Sequence, residues 1–412
     1  MPFARESRGK GAATRLVAAT LAVLAIALLA IISMPGPATS AQTLDGQTIF
    51  RFDTFGDEQL WTDVLRMHEV IQAEVSPKIA LDAGLKVDSE ALPPAIVDAL
   101  KAGTVNLDDP AVTVLLLQLN AVVGLVGKVG PQGDLNSVGI TCALCHSTVD
   151  NSVAAGIGRR LDGWAPRDLN VGAIVALSPA LDAGLKAEFN GWGPGKYDPR
   201  HHFFDGTNIV PLNSPSVPVV LPSIFGLHSV KFETFTGDGL ISYWNSYVGV
   251  SQMGGHGSFE DKRIGVTITQ NPDLVTPKLA ALGDYQLRLT TPPPPAGSFN
   301  QLAAARGQAL FNGKAGCSSC HNPETAFTDV GSGEVPVLHD PTEVGQDPTY
   351  ALRSATEKYR TTPLRALWQH PPYFHDGSAP NLDAVVEHYN KLFDLKLNKA
   401  QKADLVEYLN SL

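Results

Sequence analysis

The pattern of apolar and polar positions divides the chain into a few regular stretches separated by irregular sequence. Leu16 to Met34 is apolar apart from Thr20 and Ser33. From Asp57 to Ile71, residues Leu60, Val64, Leu65, His68 and Ile71 fall near helical spacing, which predicts a helix. Ala111 to Val126 is almost wholly apolar, but Gln118 and Asn120 interrupt it; this predicts a buried core element and not a membrane span. Gly, Pro, Asn and Asp accumulate between Gly191 and Pro222, which predicts a long irregular segment. Helical patterning returns at Leu240–Val248 and Asn381–Leu392. In the second of these, Leu382, Val385, Val386 and Tyr389 share one face, whereas Asp383, Glu387 and Lys391 lie away from it. His388 is about 100° round from Tyr389. Near the C-terminus, Leu405, Val406, Leu409 and Leu412 form an apolar stripe after Asn398, a residue suited to cap a helix.

The sharpest boundary is Pro292-Pro293-Pro294-Pro295, a stiff extended spacer. It sets a domain at 42–291, a linker at 292–297 and a second domain at 298–412. The chain has 412 residues, 44% hydrophobic and 17% charged, with 38 Gly and 30 Pro, which fits loop-rich globular domains and not disorder. Its net charge of −10 argues against nucleic acid as a partner. The first 41 residues carry Arg5, Arg8, Lys10 and Arg15 against Glu6, then the apolar run, then Thr39-Ser40-Ala41. That is the layout of a cleaved export signal or of an uncleaved N-terminal anchor. Either puts the remainder outside the cytoplasm, in the periplasm or beyond, and confines membrane contact to that anchor. The remainder carries the whole acidic excess, a charge that steers a basic partner.

An exported chain ordinarily pairs its cysteines as disulfides. Here the four occur as Cys142-Ala143-Leu144-Cys145-His146 and Cys317-Ser318-Ser319-Cys320-His321. C-x-x-C-H is the attachment sequence of c-type haem: two thiols add to the vinyl groups and the adjacent histidine becomes the proximal iron ligand. A four-cysteine zinc site or a thioredoxin-like pair leaves the two histidines unexplained. Two covalently attached haems are therefore expected. The segment from Pro222 through Phe225 to Phe235-Thr236-Gly237-Asp238-Gly239 has a weak echo in Pro363 through Trp368 to Tyr373-Phe374-His375-Asp376-Gly377, pairing the two Asp-Gly steps.

At these residues the chain resembles the bacterial di-haem cytochrome c peroxidase and MauG superfamily. The resemblance is carried by Arg306-Gly307-x-x-Leu310-Phe311-x-Gly313, by Thr362-Pro363-Leu364-Arg365 and by Pro372-Tyr373-Phe374-His375-Asp376-Gly377-Ser378. It implies a mainly α fold of two cytochrome c-like haem domains with long irregular loops, the first enlarged by insertions. It also implies contact between the helix of Gly307 and Phe311 and the terminal helix of Leu405 and Tyr408. His375 resembles the family histidine near the second haem's distal side or its propionates.

Axial ligation decides what each haem can do. For the first haem the candidates are Met253 and His256, with His228, His201 and His202 behind them. No methionine follows Met253, so the second domain lacks the usual sulfur ligand. The superfamily peroxidases place that methionine where this chain has Tyr389, and MauG-type enzymes resemble this chain in having tyrosine there. Trp164, Trp192 and Trp244 are candidate electron bridges. Glu188 and Glu233 are candidate acid–base groups for peroxide, together with His375. The resemblance implies an oxidoreductase that reduces hydrogen peroxide or oxidises a partner, exchanging electrons with a small redox protein. A non-catalytic electron-transfer cytochrome with two six-coordinate haems is the alternative.

Overall fold

The computed structural model describes residues 44–200, 202–204, 209–211, 215–228, 230–331 and 335–412. The export-signal reading of residues 1–41 lies outside them. Among the described residues, no helix is long and apolar enough to cross a membrane. The architecture is mainly helical, and its β-structure among these residues is six two-stranded sheets and a few isolated bridges. One apolar core is assembled from residues between Ile49 and Leu289, and a second from residues between Leu310 and Leu412.

The helix expected over 57–71 is broken. Gln59–Val64 is wound as a π-helix, Arg66 takes φ 55°, and a separate helix runs Met67–Glu74. Buried Asp57 gives a physical reason, because its carboxyl accepts from the Ile140 amide at 3.1 and 3.2 Å and ties this entry turn to a strand. The apolar run after Ala111 is helix and then strand. Pro110–Gln118 is a helix capped by Asp109, Asn120 turns the chain at φ 53°, and Leu125–Val129 pairs antiparallel with Leu135–Ile140. Among the described residues, the 191–222 segment holds four short strands, of which Lys196–Tyr197 pairs with Val219–Val220 and His202–Phe204 with Ile209–Pro211.

In the C-terminal part, Gln301–Asn312 packs on Lys399–Asn410, as the resemblance implied. The Phe311 and Tyr408 rings meet edge-on at 5.2 Å, and Arg306 grips Asp404 through two bonds of 2.9 and 2.6 Å. Asn398 and Gln401 form a capping box at the start of the terminal helix.

The internal echo is real in the backbone, but in a different register. Glu233 bridges Gly239 and Tyr373 bridges Ala379, with Thr234 and Phe374 at φ 67° and 66° and Gly237 and Gly377 at φ 59° and 73°. Gly226 and Ala366 also share positive φ, 66° and 47°. Equivalent residues are thus 140 apart (233 to 373, 237 to 377, 226 to 366). Gly237, not Gly239, corresponds to Gly377, because the turn requires positive φ at that position and an Asp-Gly pair does not define it. The two copies also face each other reciprocally: the Val220 amide donates to the His375 carbonyl at 2.7 Å, and the Arg360 amide donates to the Phe235 carbonyl at 2.9 Å.

Candidate functional site

The first cysteine pair opens a short helix, Ala143–His146, which runs into the strand Ser147–Val149. That strand pairs with Arg160–Asp162. Asp162 secures it by accepting from Ser147 Oγ at 2.8 Å, Arg51 Nε at 2.6 Å and Tyr285 OH at 2.5 Å. Neither thiol is in a disulfide, and burial pushes both up to about 12. His146 Nδ1 lies 3.0 Å from the Pro222 carbonyl. If Nδ1 is the protonated nitrogen, as that bond requires, the Nε2 lone pair is left for a metal. Burial holds this imidazole down at about 4, so no proton competes for that lone pair at neutral pH.

The second pair repeats the arrangement. Cys317 and Cys320 bound a 3-10 turn, and His321 Nδ1 lies 2.9 Å from the Phe327 carbonyl, with the ring also against the Thr362 backbone. Burial raises Cys317 to about 11 and lowers His321. These groups open on a cavity of about 450 Å³, within the ~300–1,000 Å³ usual for cofactor sites. Its walls are mostly apolar, including Phe311, Leu382, Val386, Leu405 and Leu409. Among the described residues its lining includes Arg167, Arg360 and Arg365 and no carboxylate. A haem has a flat apolar body, two vinyl groups that react with thiols, an iron that takes an imidazole, and two carboxylates. The residues present fit each of these.

The helix Leu382–Leu392 presents Leu382, Val385, Val386 and Tyr389 to this cavity. His388 is turned away and its Nε2 bonds the Val344 carbonyl at 3.0 Å. Burial pushes the Tyr389 phenol up to about 12. His375 also lines the cavity, with Nε2 3.0 Å from Tyr359 OH, whose proton goes to the Asp347 carbonyl at 2.6 Å. Glu233 is buried beside Arg360 (3.3 Å) with Oε1 unpartnered, and burial raises its carboxyl. Glu188 stands half-buried on the helix Ala183–Asn190, outside the cavity lining.

Met253 is buried after a π-helical turn, Val248–Gln252, and its carbonyl accepts from Trp61 Nε1 at 2.9 Å. His256 Nδ1 lies 2.7 Å from the Pro272 carbonyl. His228 is exposed, and His201 lies outside the described residues. Trp164 meets Trp368 at 5.7 Å and Phe225 at 6.1 Å, where the two parts of the chain join; Trp192 and Trp244 pack in the first core. Sequence reasoning missed His339, which lines the cavity with Nε2 3.0 Å from Asp329 and Nδ1 3.0 Å from Glu343. It also missed Arg167 and Arg360. No local motif marks any of them, since they reach the cavity through tertiary contacts.

Comparison with known proteins places a cytochrome c family match on residues 304–412. The methylamine utilization protein MauG of Methylorubrum extorquens is 34% identical over 127 residues, covering 26% of this chain and 34% of that protein. The cytochrome-c peroxidase IdrP1 of Denitromonas iodatirespirans is 34% identical over 149 residues, covering 26% of this chain and 40% of that protein. The match therefore spans well under half of these relatives. The solved structure of a MauG-like protein associated with microbial copper homeostasis aligns with 48% of this chain and 74% of its own at 19% identity; its TM-score of 0.34 is too low to support an argument. The cavity built around Cys317, Cys320 and His321 thus belongs to a cytochrome c domain with covalently bound c-type haem, and the chain bears the resemblance to the MauG and di-haem peroxidase superfamily that its motifs carry.

Proposed function

We propose that this is an exported di-haem oxidoreductase of the peroxidase/MauG type, with a second haem at Cys142, Cys145 and His146. The observation that carries the reading is an asymmetry between the two repeats. The second presents Tyr389 to its haem cavity. Following the 140-residue register into the first repeat's helix, Ile241–Tyr247, and the π-turn after it puts Gly249 at that position. Glycine has no side chain to offer a donor atom. With Tyr389 capping the second iron and no side chain to cap the first at that position, the first site would take a small oxidant, a division of labour that suits peroxide chemistry.

Bound haem supplies iron that exchanges single electrons; the protein supplies the rest. His146 and His321 would each hold an iron through an imidazole nitrogen, with Nδ1 held by a backbone carbonyl. Tyr389 offers an oxygen donor that favours the oxidised state of the second centre. Glu233, fixed by Arg360 and with its carboxyl raised, is the better of the two acid candidates for holding and passing a proton. The balanced reaction consumes hydrogen peroxide, two protons and two electrons and yields two waters, with the electrons drawn from a small redox protein.

A second reading rests on Met253. It is 4% exposed and close along the chain to Gly249, and as a sulfur cap it would make the chain a pure electron carrier. The ferric spectrum before and after peroxide, for the native chain and Met253→Leu, decides between them. A high-spin signal that responds to peroxide in both supports the enzyme. Two unreactive low-spin centres, one turning high-spin in Met253→Leu, support the carrier.

A further inference from the structure

The haem cavity of the C-terminal domain is closed partly by the N-terminal part of the chain, through Arg167, Pro222, Phe225 and Phe235 among others. Three arginines reach it, and they differ in what already surrounds them. Arg360 is paired with Glu233 at 3.3 Å, and Arg365 also feels the Glu233 charge. Arg167 has no such neighbour. Its Nη1 donates to the Leu221 carbonyl at 2.6 Å, its Nε is buried without a partner, and the favourable electrostatic influence on it comes from the Tyr373 phenol. Burial lowers its pKa to about 10, so it stays charged at neutral pH. A buried cation without a counter-charge is costly, and a structure that keeps one has an anion to receive.

The geometry points to Arg167 as the counter-ion of a carboxylate on the haem anchored at Cys317, Cys320 and His321, supplied across the domain boundary. Arg167 also acts on the other site. Its Nη1 bonds the Leu221 carbonyl at 2.6 Å, and the next carbonyl along the chain, that of Pro222, faces His146 Nδ1 at 3.0 Å, so the guanidinium and the first motif's histidine hang on successive peptide units. Arg167 follows Gly163 by four positions, and the Gly163 amide donates to the His146 carbonyl at 2.8 Å. One guanidinium therefore stands against both centres. Its neutralisation by the second haem's carboxylate couples their charges, and the second haem becomes part of what holds the two parts of the chain together. The inference needs haem at the second motif. It does not need the peroxidase reading.

The test is a spectroelectrochemical titration of Arg167→Gln and Arg167→Lys in the holoprotein, each variant first shown to carry native covalent haem. Loss of the cation leaves a buried carboxylate uncompensated and stabilises ferric iron. Arg167→Gln should therefore lower the midpoint of the second haem most and that of the first haem less, while Arg167→Lys restores most of both. Limited proteolysis within 290–298 should be faster in Arg167→Gln and slower once the charge is restored. Unchanged midpoints in Arg167→Gln would overturn the assignment. So would a shift confined to the first haem, or Arg167→Lys values matching Arg167→Gln. Native covalent haem with no peroxide response would sink the enzyme reading and leave this one intact.

Discussion

Gly307 is the residue on which the C-terminal domain's helix pair turns. A Cβ added there would lie 2.0 Å from the Asp404 carbonyl oxygen and 2.8 Å from Tyr408 Cβ. The first contact is with backbone of the partner helix and cannot be relieved by a rotamer change, so Gln301–Asn312 and Lys399–Asn410 must separate by on the order of 1 Å, given the ~3.5–4.0 Å optimal contact distance. Overpacking of this kind costs about 1–3 kcal/mol or more. Against it stands the ~1 kcal/mol that alanine gains over glycine inside a helix. With backbone as the obstacle we expect the upper part of that range and a net loss of about 2 kcal/mol in Gly307→Ala. At ~2–4 °C per kcal/mol for a large cooperative unit, the melting temperature should fall by about 4–8 °C. Gly283 is the control, since it is also helical and its added Cβ meets Ile241 Cγ2 at 3.6 Å, an ordinary contact. Gly283→Ala should therefore stabilise by up to about 1 kcal/mol. Calorimetry on the three haem-loaded proteins measures both. A Gly307→Ala melting temperature equal to or above the native one would refute the close approach and the packing drawn from it.

Three further outcomes follow from the site. Replacing Cys317 and Cys320 by Ala should halve the haem that survives a denaturing gel; full retention would remove the second motif as an attachment site. Tyr389→Phe should raise the second haem's potential while His388→Ala leaves it near native, because burial and position favour the phenol and His388 is bound to Val344; the reverse pattern makes histidine the ligand. Asp57 is fully buried and its carboxyl is raised well above 3.8 by burial, so the folded state holds its proton more tightly than the unfolded state. Its contribution to stability is then present at low pH and lost as pH rises from about 4 through the folded value. Asp57→Asn removes that loss, and its melting advantage over the native chain should grow with pH across that window; parallel pH profiles would show that Asp57 ionises without cost.

Whereas the mainly helical fold came from the family resemblance, two haem motifs and the face of Leu382–Leu392 that carries Tyr389 were legible from spacing alone. Each is a local pattern: thiols and histidine adjacent in sequence, or apolar residues at i, i+3, i+4 and i+7 on one helix. The contact of Gly307 and Phe311 with Leu405 and Tyr408 came from the family resemblance, since no local pattern pairs two helices about a hundred residues apart. The sequence misjudged the helix over 57–71, because a buried carboxylate bonded to a distant strand overrode its apolar periodicity. It misjudged the repeat's register for a related reason, as positive φ at Gly237 and Gly377 is invisible in an Asp-Gly step. Arg167, Arg360 and His339 reach the cavity from three separate segments. Charge, burial and proximity to a shared space belong to no stretch of sequence, and only the packing of one half of the chain against the other decided which arginine was left without a counter-charge.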